Sequence, residues 1–163
     1  MSLLPCLEIN PTSTATASVI RLHGLGADGN DFAPIVPEFN LPADLPIRFV
    51  FPHAPSIPVT INGGFVMPAW YDILEMNIDR KVDEAQLVAS SDEIEKLIER
   101  EIERGVPSER IILIGFSQGG AVAYQTALSY KKPLAGLLAL STYFATSDSI
   151  ELSDSNKNLP ITK

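Results

Sequence analysis

Apolar residues in this chain gather in short, unbroken runs set apart by polar, glycine- or proline-bearing stretches. Four runs stand out: Ser18 to His23, Pro46 to Pro52, Arg110 to Phe116 and Pro133 to Ser141. They show no polar alternation, which is the pattern of strands covered on both faces of a parallel sheet. Leu3 to Asn10 reads as a shorter strand, and Pro5 assigns it to an edge, where a missing N–H costs no ladder bond. Between Arg80 and Arg104 the period changes. Leu87, Ser91, Ile94, Leu97, Ile98 and Ile102 recur at steps of three and four, and Glu93 to Glu103 charge the opposite face. That is an amphipathic helix, ended by Gly105 and Pro107. A second helix follows Ser117, with Ala121, Val122, Tyr124 and Gln125 at helical spacing. A third stretch, Phe32 to Phe39, starts behind Asp31 as a cap and is kept short by Pro34 and Pro37. Strands alternating with helices predict an α/β fold. Its mostly parallel sheet is flanked by helices, in one domain spanning residues 1–163.

Two stretches fit neither pattern. From Ser56 to Asp79 there is no core helix. Ile57 to Ile61 and Phe65 to Met67 flank Asn62-Gly63-Gly64 as a small hairpin, and Trp70 to Met76 is apolar without a period. An excursion this long in a compact domain is expected to be a lid or a pocket wall, with a protein contact as the rival reading. Thr142 to Asn158 is polar and loop-like. Asn158 to Lys163 then looks like the opening of one more strand, and the sequence stops there. A half-built interior strand leaves ladder groups unpaired. The expectation is a C-terminally incomplete fold, a fragment of a longer protein.

Composition narrows the chemistry. The formal net charge is −8, with no cluster of Lys or Arg, so nucleic-acid binding has no electrostatic footprint. A single cysteine, Cys6, excludes an internal disulfide and a cysteine-based metal site, and fits a reducing, cytoplasmic setting. No basic-then-apolar leader opens the chain, and no apolar run approaches the roughly 20 residues of a membrane span.

The strongest chemical signal lies between the third strand and the second helix. Gly115-Phe116-Ser117-Gln118-Gly119 is the G-x-S-x-G pattern of a nucleophile elbow. A tight strand-to-helix turn forces Ser117 into a strained conformation and lifts its hydroxyl above the sheet. Gly115 and Gly119 flank it because a Cβ there would collide where strand and helix meet. Gln118 opens the helix, so its N–H faces any oxyanion formed at Ser117. A second glycine-rich stretch, His23-Gly24-Leu25-Gly26-Ala27-Asp28-Gly29, follows the first long strand. Its free N–H groups suit an oxyanion or a phosphate. It is no Walker loop, because no G-K-[ST] follows, and it lacks the G-x-G-x-x-G spacing. Both features fall at carboxyl ends of strands, where ligands bind in such folds.

Four motifs together resemble one family. Leu22 to Gly29, Phe51-Pro52-His53-Ala54-Pro55, Ala69-Trp70-Tyr71-Asp72 and Gly115 to Gly120 occur in the order and at the spacing of the phospholipase/carboxylesterase group of α/β-hydrolases. That group includes the acyl-protein thioesterases, and the resemblance spans nearly the whole chain. It implies that Ser117 is the acylated nucleophile and that the N–H groups of Leu25 and Gln118 form the oxyanion hole. It also implies that Trp70, with Met67, Ile73, Leu74 and Met76, borders the acyl channel. His23, His53 and Asp72 are expected to be structural. Pro68 departs from the arginine that relatives often carry, which bears on loop anchoring. The larger departure is that the family's Asp and His lie beyond the position where this sequence stops. Asp148 and Asp154 follow the Leu140 strand, where some α/β-hydrolases hold their acid, but they have no base to orient.

The resemblance implies a serine carboxylesterase or thioesterase. Its substrates would be short- or medium-chain acyl esters, lysophospholipids or S-acyl groups, including those of a lipidated protein. No cofactor or metal is implied, and a homodimer is compatible with the apolar excursion. These 163 residues alone are expected to turn over little, because a serine hydroxyl is a weak nucleophile without a base. The alternative is a non-catalytic, hydrolase-like binding module.

Overall fold

The structure is a computed structural model that describes residues 2–75 and 81–163. Its centre is a six-stranded sheet. In chain order the strands are β1 (Cys6–Ile9), β2 (Ala17–Leu22), β3 (Ile47–Pro52), β6 (Ile111–Phe116), β7 (Gly136–Leu140) and β8 (Ile161–Thr162). Their spatial order is β1-β3-β2-β6-β7-β8. Every pairing is parallel except β1 with β3; the first strand, which begins just after Pro5, is an edge as its sequence predicts, and it runs antiparallel. The excursion forms a separate hairpin of β4 (Ser56–Val59) and β5 (Phe65–Pro68).

Two helices, α1 (Glu84–Glu103) and α2 (Gln118–Ser129), pack together over one face of the sheet. Leu87, Ile94, Leu97 and Ile98 of α1 and Ala121, Val122 and Ala123 of α2 meet Ile20, Leu22, Val50, Ile111 and Leu113 in the main core. The apolar stripe of α1 drives this burial, since each buried Leu or Ile stabilises by roughly 1.5–3 kcal/mol. Among the described residues, no helix is long and apolar enough to cross a membrane.

The opposite face is thinly covered. Residues 33–39 form one short 3-10 segment, with Pro37 inside it, packed on Val19, Phe49 and Phe51. The strand of Arg110 to Phe116 reads from sequence as covered on both sides. Instead Ile112 is 38% exposed and Phe116 39% exposed, because this segment does not extend over them. Two boundaries also differ from the sequence expectation. Asp31 does not cap the short segment; its carboxylate pairs with Arg21 at 2.7 Å, and the N-cap position falls on Phe32 with no side-chain bond. Helix α1 starts at Glu84 rather than Arg80, because Val82 still pairs with Ile73 and the Asp83 carboxylate then accepts the Gln86 N–H. Arg80 itself lies outside the described residues.

Candidate active site

Strands β2, β6 and β7 are adjacent and parallel, so their carboxyl ends open on the same edge. Leu22 is level with Gly115, and Phe116 with Leu140. The chain leaves these three strands as the glycine-rich loop, the Ser117 turn and the Ser141–Tyr143 segment. Residues about ninety positions apart are thereby brought side by side.

Ser117 has φ 52° and ψ −119°, a left-handed conformation that a side chain rarely adopts, at a cost on the order of 1–3 kcal/mol. Neighbours on the sheet enforce it. The Ser117 N–H donates to the Leu140 carbonyl at 2.9 Å. The Ser117 carbonyl accepts from the Thr142 hydroxyl at 2.6 Å and from the Gly120 N–H at 3.0 Å. The glycines at either side are steric requirements. A Cβ on Gly119 would press on the carbonyl oxygens of Leu22 and His23, and one on Gly115 would press on the backbone of Gly119 and Gly120. These are main-chain obstacles that no rotamer change relieves.

The Ser117 side chain opens on a cavity of about 190 Å³ lined by Leu25, Ile61, Tyr71, Ile73, Gln118 and Tyr143. Among the described residues, the Leu25 N–H meets no protein acceptor. Gln118 is the first helical residue, and its N–H belongs to the donors at a helix start that lack an intrahelical partner. The loop bearing Leu25 is anchored by the Gly26 N–H on the Pro68 carbonyl at 2.9 Å and by the Gly29 N–H on His53 Nδ1 at 2.9 Å. A proline at position 68 supplies that carbonyl as well as any residue would, so the anchor is a main-chain one.

Of the expected wall residues, only Ile73 lines this cavity. Trp70 is 1% exposed and does not line this cavity. Its indole N–H donates to the His23 carbonyl at 2.8 Å, its ring lies 5.1 Å from the His23 ring, and it borders a different recess with Leu4, Pro55 and Ile57. Met67 and Leu74 do not line it, and Met76 lies outside the described residues. Ile61, Tyr71 and Tyr143 take their places. Tyr71 follows Trp70 in a bend after β5, so no strand alternation in the sequence marks which of the two lines the cavity. Ile61 and Tyr143 carry no local sequence signal.

Both histidines are occupied. His23 is fully buried; its Nε2 accepts the Ala54 N–H at 3.0 Å, so Nδ1 carries the proton and donates to the Gly24 carbonyl at 2.7 Å. Burial holds its pKa below the ordinary histidine value, which keeps the ring neutral. His53 Nδ1 accepts the Gly29 N–H. Asp72 caps the turn at Thr60, accepting from its N–H at 2.8 Å and its hydroxyl at 2.6 Å.

Comparison with known proteins places the chain. The sequence profile of the phospholipase/carboxylesterase family matches residues 6–163. The chain is 39% identical to acyl-protein thioesterase 1 of Neurospora crassa, over 96% of its own length and 68% of that relative's. The crystal structure of Arabidopsis thaliana SOBER1 superposes with a TM-score of 0.83 at 32% identity, covering 89% of this chain and 71% of that one. The crystal structure of Zea mays acyl-protein thioesterase 2 gives 0.72 at 27% identity, over 85% and 62% of the respective chains. The parallel sheet, the strained serine turn and these likenesses agree: the chain belongs to the phospholipase/carboxylesterase family of α/β-hydrolases.

Proposed function

We propose that the protein is a serine esterase or thioesterase working through an acyl-enzyme on Ser117. One observation carries this reading. Ser117 sits in a left-handed turn and lines a cavity together with Leu25 and Gln118. The Ser117 oxygen attacks the acyl carbonyl carbon and gives its proton to a base. The carbonyl oxygen takes up the negative charge between the Leu25 and Gln118 N–H groups. Collapse of the tetrahedral species expels the alcohol or thiol, which leaves with the proton. Water then attacks the acyl-serine by the same route and releases the acid.

Apolar Leu25, Ile61 and Ile73 around about 190 Å³ suit short- or medium-chain acyl groups, on carboxylic esters, lysophospholipids or S-acylated proteins. The setting we propose is cytoplasmic. Both ring nitrogens of His23 are engaged, and His53 is turned to the glycine loop, so neither serves as the base. These 163 residues alone therefore turn over little or nothing. The test is hydrolysis of p-nitrophenyl butyrate by the full-length protein and by Ser117→Ala. Loss of on the order of 10³-fold or more in kcat is expected. Equal rates would remove Ser117 from the reaction.

The lack of a free histidine beside Ser117 favours one second reading, a hydrolase-like module that binds acyl groups without cleaving them. A fluorophosphonate probe separates the two, since only an activated serine is labelled.

A further inference from the structure

Gln118 faces two ways. Its main-chain N–H lies beside Ser117 at the start of α2. Its side chain is buried, 3% exposed, and turns into the excursion. There Oε1 accepts the Trp70 N–H at 2.8 Å, and Nε2 donates to the Tyr71 carbonyl at 2.6 Å. One carboxamide thus bridges the N–H of one residue and the C=O of the next across the bend at Trp70-Tyr71. The other bonds to this segment lead to different elements. The Trp70 carbonyl accepts from Ser90 on α1, the Ala69 N–H reaches Pro55, and the Asp72 N–H reaches Gln86. Tyr71, itself fully buried, lines the Ser117 cavity, with its hydroxyl 2.9 Å from that of Tyr143.

We propose that Gln118 is a positioning residue whose carboxamide sets the cavity wall formed by Tyr71 against its own N–H. The oxyanion donor and the acyl-binding wall then move as one unit. This rests on Ser117 being the nucleophile. The chemistry required is narrow. The side chain must offer one acceptor and one donor at glutamine's reach, without charge. A methionine fills the volume but offers neither an acceptor for the buried Trp70 N–H nor a donor to the Tyr71 C=O. An ionised glutamate accepts from Trp70 but sets a second acceptor against the Tyr71 carbonyl.

The test uses the full-length protein and the variants Gln118→Met, Gln118→Glu and Gln118→Asn, the last one methylene too short. Hydrolysis of p-nitrophenyl acetate and p-nitrophenyl octanoate is followed beside the emission of Trp70, the one tryptophan of these 163 residues. Small misplacements of reacting groups are costly. We expect kcat on acetate to fall by about tenfold in each variant, with KM changed less than about twofold. KM on octanoate, whose chain reaches the wall, rises as well, and Trp70 emission shifts to the red. Unchanged kcat, chain-length preference and emission in the folded variants would overturn the proposal. So would the failure of all three to fold, which would make Gln118 a structural keystone only. Full activity of Ser117→Ala would instead sink the serine reading, whatever the Gln118 variants do.

Discussion

The Ser117 turn and the excursion of residues 56–75 meet at one cavity, yet they are held by different physics. The turn is made of consecutive residues. β6 delivers it, α2 carries it away, and main-chain contacts with Leu22, His23 and Leu140 leave it one geometry. The excursion has no regular element to define it beyond a hairpin of two four-residue strands joined through one 3-10 turn. It is pinned by side chains from far along the chain: Gln118 on Trp70 and Tyr71, Gln86 on Asp72, Ser90 on Trp70. The first region is rigid because of sterics, the second because of polar groups that must be satisfied once buried. The nucleophile therefore tolerates almost no local change, whereas the wall can be loosened one bond at a time.

The sharpest way to break that contrast is Gly119→Ala. The added Cβ presses on two carbonyl oxygens of the β2 loop, and the expected loss is about 3 kcal/mol or more in urea unfolding. A loss under about 1 kcal/mol would mean the turn is softer than its contacts say. Asp72→Ala removes the cap on the Thr60 turn and should cost about 1–2 kcal/mol, leaving the serine turn intact. Equal destabilisation by the two substitutions would erase the distinction.

His23 sharpens the comparison through pH. Its folded-state pKa lies below the unfolded value, because burial disfavours the cation. Above the unfolded pKa both states are neutral and its contribution is complete. As pH falls through about 6.5, the unfolded chain takes up the proton first, so stability drops toward the lower folded-state pKa. Urea midpoints at pH 7.5 and 5.5 should differ more for the native protein than for His23→Asn. The smallest effect belongs to the hairpin tip. Phe65 is 74% exposed, and Phe65→Ser should shift stability by less than about 0.5 kcal/mol.

The sequence by itself determined the strands, the two helices, the proline-bearing edge and the serine elbow. Each is written in a local pattern: an unbroken apolar run, a period of three and four, a glycine on either side of a serine. Gln118 was legible as the residue that follows the serine at a helix start, whereas Leu25 came from the resemblance to the family. Other outcomes were decided only by the tertiary structure. Asp31 chose Arg21 over a helix end, since a buried guanidinium needs a carboxylate more than a short 3-10 segment needs a cap. Trp70 turned from the cavity to the core, and Tyr71, Ile61 and Tyr143 came to line it instead. Which side of an irregular segment faces a pocket is set by what packs behind it, and those partners lie tens of residues away. The half-exposed face of β6 has the same origin: a strand's residues say they can be buried, but only the neighbouring layer decides how far they are.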